Sequence, residues 1–261
     1  KFIKQFCVGM TMGESGVFGT PLYTSANTLF YFIVFGAFFS SMGGGQLLID
    51  IGMKFSNKSS GGPAKAAVIS SGLMGMISGS AVANVATTGV MTIPMMKKTG
   101  YTAEEAGAIE TCASTGGQIM PPIMGTGAFI LAETVGVPYS DVCFVSIIPA
   151  ILFYIAIYFL VDLIARKRNL HGLPASDIRP LKQTMHAGGV FFIPILILVV
   201  LLVLGYTPFL SGVGCALLIL LIGQIRKDTR VSAKKIVFAL EDCAKSLMSI
   251  GGVIFCASLI V

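Results

Sequence analysis

The chain has 261 residues, 54% hydrophobic and only 11% charged, with no Trp and a mean hydropathy of +0.85. Soluble domains carry about 25% charged residues, and no stretch alternates apolar with polar as an outer-membrane barrel does, so the composition points to an all-α polytopic membrane protein in a lipid bilayer. A net charge of +6 would suggest nucleic acid in a soluble protein, but these cations cluster at the ends of apolar runs, where they report topology and no nucleic-acid partner.

Residues 1–24, interrupted by Gly13, Gly16, Gly19 and Pro21, read as an extramembrane loop. Residues 25–41 are apolar and aromatic and stop at Gly43, Gly44 and Gly45, which predicts a first transmembrane helix. Residues 46–55 place Leu47, Leu48, Ile51 and Phe55 on one helical face, the pattern of a helix lying in the interface.

Residues 64–96 form a mostly apolar run with basic flanks on both sides: Lys54, Lys58 and Lys65 before it, Lys97 and Lys98 after it. Basic loops favour the cytoplasm, so both ends belong there. As one helix the run would be about 45–50 Å long, too long for a hydrocarbon core of about 30 Å. Its centre, Ser78, Gly79, Ser80, Ala81, Val82, Ala83 and Asn84, is small and hydroxyl-bearing and predicts a break. The run therefore reads as a re-entrant hairpin whose tip, at membrane depth, is buried in protein or lines an aqueous cavity.

Thr102 followed by Glu105 predicts a capping box, starting a helix over residues 103–115. Gly116, Gly117, Pro121 and Pro122 interrupt it before a second half over residues 123–134, which makes a discontinuous transmembrane helix. Gly116 is expected to need positive φ or a close approach, with carbonyls of residues 114–117 released from the helix. A long span over residues 142–164 ends at Arg166, Lys167 and Arg168. A polar connector over residues 169–185 precedes two spans, residues 190–204 and 209–225, joined by a tight turn. Residues 232–245 read as a second interfacial helix, and a new span begins at Ser246 and is cut off, so the chain reads as a fragment.

Two broken elements with small hydroxyl residues at membrane depth are the pattern by which secondary transporters hold coupling ions. Half-helix carbonyls and side-chain oxygens suit a hard cation. Gly72, Gly75 and Gly79 equally suit close helix packing. Glu110 and Glu133 are intramembrane carboxylates and functional candidates, with interface placement or capping by a neighbouring helix as the alternative. Asp50, Asp141, Asp162, Asp228 and Asp242 fall near span ends and read as solvated, as do His171 and His186 in the connector. The six cysteines show no ligand spacing and read as packing residues. No nucleophile elbow, zinc-protease motif, aspartate pair or phosphate loop is present, so no enzyme is indicated.

The hairpin segment Gly79-Ser80-Ala81-Val82-Ala83-Asn84-Val85-Ala86-Thr87-Thr88-Gly89, with Ile93-Pro94-Met95-Met96-Lys97-Lys98 after it, resembles the large membrane subunit of TRAP transporters (tripartite ATP-independent periplasmic transporters). Ala113-Ser114-Thr115-Gly116-Gly117-Gln118-Ile119-Met120-Pro121-Pro122 resembles the broken helix of the same family in its TAXI-type fused permeases. The match is specific over residues 20–165 and weaker beyond.

The resemblance implies an elevator-type ion transporter fold built from two inverted repeats, of which this chain holds the first. Residues 1–60 would then be an external loop, the first transmembrane helix and an interfacial arm. Residues 61–136 would be the transport-type hairpin and broken helix, and residues 137–261 scaffold-type helices leading into a truncated second repeat. The implied function is sodium-coupled import of a carboxylate across the bacterial or archaeal inner membrane. The implied partners are a periplasmic substrate-binding protein and a small four-helix membrane subunit or its fused equivalent. Sodium would sit at Ser78, Ser80, Asn84, Ser114, Thr115, Gly116 and Gly117, and the anion at Thr87, Gln118 and Pro121. A non-transporting scaffold or receptor subunit is the second reading, and an intramembrane enzyme a weaker third.

Overall fold

The computed structural model describes residues 30–57, 59–174, 184–185, 188–225 and 233–260, with residues 8, 9, 11, 13, 16, 18, 19, 22 and 23. The expected loop over residues 1–24 lies largely outside these, as do residues 25–29 of the first span, residues 175–183 of the connector, His186 and Asp228. Among the described residues every regular element is helical.

Helix α1, Phe30–Ser41, ends at Gly43, whose left-handed φ of 93° lets the chain turn by 69° into α2, Gly44–Ser56. The expected apolar face of α2 divides: Leu47 and Leu48 are buried with Ile49 and Met53, while Phe55 is 75% exposed. The reason is that α2 packs along the next helix and not on an interface alone. A side chain on Gly52 would stand 2.7 Å from the Ala66 carbonyl oxygen.

Helices α3, Gly62–Ser78, and α4, Ala81–Lys98, form the hairpin. Helix α5, Ala103–Gly116, starts on the expected capping box, with the Glu105 amide donating to Thr102 Oγ1 at 3.2 Å and the Thr102 amide donating to Glu105 Oε2 at 2.9 Å. A 3-10 turn at Gly117–Ile119 and an irregular stretch lead to α6, Thr126–Val135. Helix α7, Tyr139–Lys167, is long and apolar enough to cross a membrane alone. Only 11% of its most apolar stretch is buried, so it presents residues such as Val145, Ile148, Leu152 and Leu163 outward, unlike the core helix of a soluble domain.

Helices α8, Phe192–Val203, and α9, Pro208–Ile225, fall on the two segments expected as spans, as apolar helices shorter than α7. The last expectation fails: α10, Ala233–Ile260, is one continuous helix, and the interfacial helix and the separate span merge. Nothing at residues 245–246 breaks a helix, since Lys and Ser there are compatible with its interior.

The helices pack in two groups. Helix α7 lies against α3, α5 and α6, while α9 and α10 lie against α1. Phe32, Phe35, Phe38 and Phe39 of α1 centre the larger core and reach Met74 and Ile77 of α3, Met124, and Leu198 of α8. Truncating a fully buried Phe of this kind costs on the order of 3–5 kcal/mol. A second core joins Ala64, Ala67 and Val68 of α3 to Ile109 and Ala113 of α5 and Val161 of α7.

Asp162 is not simply solvated. It accepts from Lys65 Nζ at 2.5 Å, and the two side chains are 13% and 4% exposed. Asp50 is half-buried and accepts from Gln46 at 2.6 Å and from Thr184 at 3.1 Å. Asp141, Asp242 and His171 are exposed as expected. Cys215 and Cys243 are buried free thiols, Cys143 is half-buried and Cys112 is exposed.

Candidate functional site

The hairpin turns in two residues. Gly79, with φ 63°, closes α3 by donating its amide to the Gly75 carbonyl, and Ser80 is extended with φ −124° and ψ 117°. Ser80 Oγ then accepts the Ala83 amide at 3.3 Å and starts α4. The expected break over residues 78–84 thus contracts to Gly79 and Ser80. Ala81 to Asn84 already belong to α4, because alanine favours helix and the Ser80 cap sets its start.

Past the tip, the two hairpin helices and α5 converge on Glu110, which is 0% exposed. Ser71 of α3 donates to its Oε1 at 2.7 Å, Thr92 of α4 to Oε2 at 2.6 Å, and Ser114 of α5 to Oε1 at 3.3 Å. Thr88 of α4 also donates to Oε1 and lies 3.1 Å from the Ser71 hydroxyl. Every partner is itself buried. Of the two sequence readings of Glu110, capping by neighbouring helices describes its contacts. Glu133 lies on α6 and its side chain is outside the described set.

Asn84 joins this cluster from the tip side. Its Nδ2 donates to the Ser71 carbonyl at 2.7 Å. Only the amide nitrogen can donate to a carbonyl, so the side-chain orientation follows, and Oδ1 is left buried with no hydrogen-bond partner. A buried polar atom without a partner costs about 1–3 kcal/mol unless something else satisfies it. The amide sits at the crossing of α3 with the start of the break: a side-chain carbon on Gly75 would stand 2.5 Å from Gly117 Cα and 3.1 Å from Asn84 Nδ2.

Helix α5 ends at Gly116, within a residue of the expected end. Gly116 and Gly117 are right-handed, both with φ −60° and ψ −26°, so the expectation of positive φ fails while that of close approach holds. The Ser114 and Thr115 carbonyls accept from the Gly117 amide, and the Gly117 carbonyl accepts from Met120 at 3.2 Å, so these are not the released groups. Pro121 and Pro122 have no amide to donate, so the ladder stops there, and the carbonyls of Pro122 and Ile123 lie outside any helix. Helix α7 compensates there: Tyr139 Oη donates toward the Pro122 carbonyl at 2.9 Å and the Ile123 carbonyl. Tyr154 Oη donates to the Ala113 carbonyl at 2.7 Å. The Ile123 amide donates to Met76 of α3 at 3.3 Å and the Gly125 amide to Gln118 at 2.6 Å, which ties the break to the hairpin.

The candidate residues therefore fall into three sets. Asn84, Ser114, Gly116 and Gly117 are buried around the α3–α5 crossing. Ser78, Ser80 and Thr87 line a cavity of about 730 Å³ beside the tip, walled also by Gly36 of α1 and Asp242 and Lys245 of α10. Thr115 and Gln118 are exposed, Thr115 donating back to its own helix at the Thr111 carbonyl, and with Pro121 they do not line that cavity. Ser71, Thr88, Thr92, Tyr139 and Tyr154 were not singled out from sequence. The one available signal was the four-residue spacing of Thr88 and Thr92, which puts both on one face of α4.

A family model for the DctM component of tripartite ATP-independent periplasmic transporters matches residues 8–261. Among curated proteins, the chain is 30% identical over 140 residues to a putative TRAP transporter large permease protein of Haemophilus influenzae, covering 54% of this chain and 32% of that one. It is 28% identical over 149 residues to the C4-dicarboxylate TRAP transporter large permease protein DctM of Pseudomonas aeruginosa, covering 57% of this chain and 34% of that one. The matched stretches thus span about a third of each relative. With a match over nearly its whole length, the chain belongs to the DctM-component family of tripartite ATP-independent periplasmic transporters.

Proposed function

We propose that this chain is the first repeat of a sodium-coupled permease that carries an organic anion across the inner membrane. The family consists of membrane transporters of organic acids and not of enzymes. The anion would be a carboxylate, in keeping with the C4-dicarboxylate in the name of the Pseudomonas relative. A periplasmic substrate-binding protein would deliver it, and a small membrane subunit or fused equivalent would flank the permease. The hairpin would be re-entrant from the cytoplasm and move as an elevator together with the broken helix and a second, inverted repeat.

The observation that carries this reading is the buried, unpartnered Oδ1 of Asn84 at the Gly75–Gly117 crossing. A hard cation such as sodium takes several oxygen ligands. Asn84 Oδ1 and second lone pairs on carbonyls at the crossing have the right chemistry for it. The cavity beside the tip suits the anion: Ser80, the cap of an 18-residue helix, lines it, and the N-terminal end of α4 carries partial positive charge.

Asn84→Ala in the full-length transporter tests the reading. In proteoliposomes with the full complement of partners, it is expected to raise the sodium concentration for half-maximal uptake by roughly tenfold or more, the equivalent of about 1.4 kcal/mol. Wild-type sodium dependence in that variant would remove the tip from the ion site.

A further inference from the structure

We infer that Glu110 is the countercharge for the cation carried at the hairpin tip, a positioning residue that acts through Ser71 and Ser114 without having to touch the ion. The inference rests on the sodium reading above and assigns that site its sign.

Glu110 is buried completely, and its described hydrogen-bond partners are all neutral hydroxyls. None of the ion pairs among the described residues reaches it; they join Lys65 and Arg166 to Asp162, Arg168 to Glu105, and Lys245 to Glu241. A carboxylate held only by hydroxyls remains costly to bury, because hydrogen bonds from neutral groups do not cancel its charge. A mobile cation nearby does.

Ser71 places Glu110 next to the candidate ligand. Its Oγ donates to Glu110 while its backbone carbonyl receives the Asn84 amide, so one residue separates the charge from the orphaned Oδ1. Thr88 repeats the link, with its hydroxyl near Glu110 and 2.8 Å from the Asn84 carbonyl. On the other side Ser114 lies one turn from Glu110 and one turn from Gly117 at the crossing. Charge, hydroxyl frame and unpartnered oxygen form one contiguous unit made from both hairpin helices and α5.

The consequence is an order of binding. As an ionised carboxylate without sodium, Glu110 gives the tip a buried negative charge, which opposes an organic anion in the neighbouring cavity. Sodium neutralises it, and the α4 N-terminus then attracts the anion unopposed. Coupling thus arises from removal of repulsion as well as from any direct contact between ion and anion.

The test uses the purified full-length transporter and its thermal unfolding, titrated with sodium chloride against choline chloride, in parallel with binding of a carboxylate substrate. Glu110→Gln keeps the shape and one acceptor oxygen, turns the other acceptor into a donor facing Thr92, and removes the charge. It is expected to raise the sodium midpoint for stabilisation by roughly tenfold or more, and to bind anion better than wild type when sodium is absent. A role confined to packing would not improve anion binding in the absence of sodium. Glu110→Asp keeps the charge at the cost of a methylene, so its sodium midpoint is expected within about threefold of wild type. Should Glu110→Gln not fold, the Asp variant decides, and a tenfold rise in it overturns the inference. A wild-type midpoint in Glu110→Gln alongside a shifted one in Asn84→Ala overturns the role of Glu110 alone. Wild-type midpoints in both overturn the sodium reading as well.

Discussion

Gly75 of α3 and Gly117 at the end of α5 cross with their backbones in contact, a side-chain carbon on Gly75 having room only 2.5 Å from Gly117 Cα. The same spacing sets where Asn84 can lie. Gly75→Ala is therefore expected to force the hairpin and the broken helix apart, costing about 1–3 kcal/mol by overpacking. Gly107→Ala, in α5 but with nothing within 4 Å, is expected to be neutral or to stabilise by up to about 1 kcal/mol. Thermal unfolding of the two variants in detergent compares them directly. Equal melting temperatures would mean that the crossing is loose.

The pair between Lys65 and Asp162 fastens α3 to α7 where both are nearly buried. Lys65 Nζ has two lesser neighbours, the Ser59 hydroxyl at 3.1 Å and the Tyr158 ring at 5.1 Å. Neither replaces a carboxylate. Asp162→Asn leaves a buried ammonium without countercharge and is expected to cost about 3–5 kcal/mol, whereas Arg166→Ala, removing a partner that is 70% exposed, is expected to cost under about 1 kcal/mol. Adding Lys65→Met to Asp162→Asn is expected to restore most of the loss. Thermal unfolding of the three variants checks the ranking, and a harmless Asp162→Asn would contradict it.

Tyr139 holds the released carbonyls of the break from outside the broken helix. Its ring also stacks on Phe129, with centroids 4.0 Å apart and planes 4° apart. Tyr139→Phe keeps the stack and removes the donor, at an expected cost of about 1–3 kcal/mol. Hydrogen exchange locates the effect: amides over residues 117–126 are expected to exchange faster while those of α8 and α9 do not change. Uniform acceleration would assign Tyr139 to general packing.

Much of this arrangement was legible in the sequence. The small residues at the hairpin turn, the Thr102–Glu105 box and the double proline each act within a few residues, so their consequences can be read locally. The departures have non-local or competing causes. Gly116 and Gly117 close α5 where a break is expected but keep a right-handed backbone, and Gly75, Phe153 and Tyr154, distant in sequence, leave no room there for a side chain. Asn84 moved from loop to helix because one serine hydroxyl caps α4 early. The cluster around Glu110 draws on hydroxyls 39, 22 and 18 residues away, and no local pattern announces which serines and threonines will face a given carboxylate. Similarly, residues 232–245 read as an interfacial helix, while in the fold they belong to one continuous helix on which Asp242 and Lys245 border a cavity.

That cavity gives a way to separate the anion from the ion. Ala86 lines it on the face of α4 that carries Thr87 and Val82, whereas Asn84, Thr88 and Thr92 face the buried cluster. A large side chain at position 86 would fill the space proposed for the anion without displacing any hydroxyl around Glu110. Ala86→Phe is exposed to the cavity and not to the core, so its cost to folding is expected within about 0.5 kcal/mol, as for other changes away from packed sites. Uptake of carboxylate is expected to fall by roughly tenfold or more, on the scale of one lost contact set of about 1.4 kcal/mol, while sodium still raises the melting temperature at its wild-type midpoint. If the variant transports normally, the anion travels elsewhere. If instead it loses sodium-dependent stabilisation along with uptake, cavity and cluster are one site, and Thr87 belongs with the ion and not with the substrate.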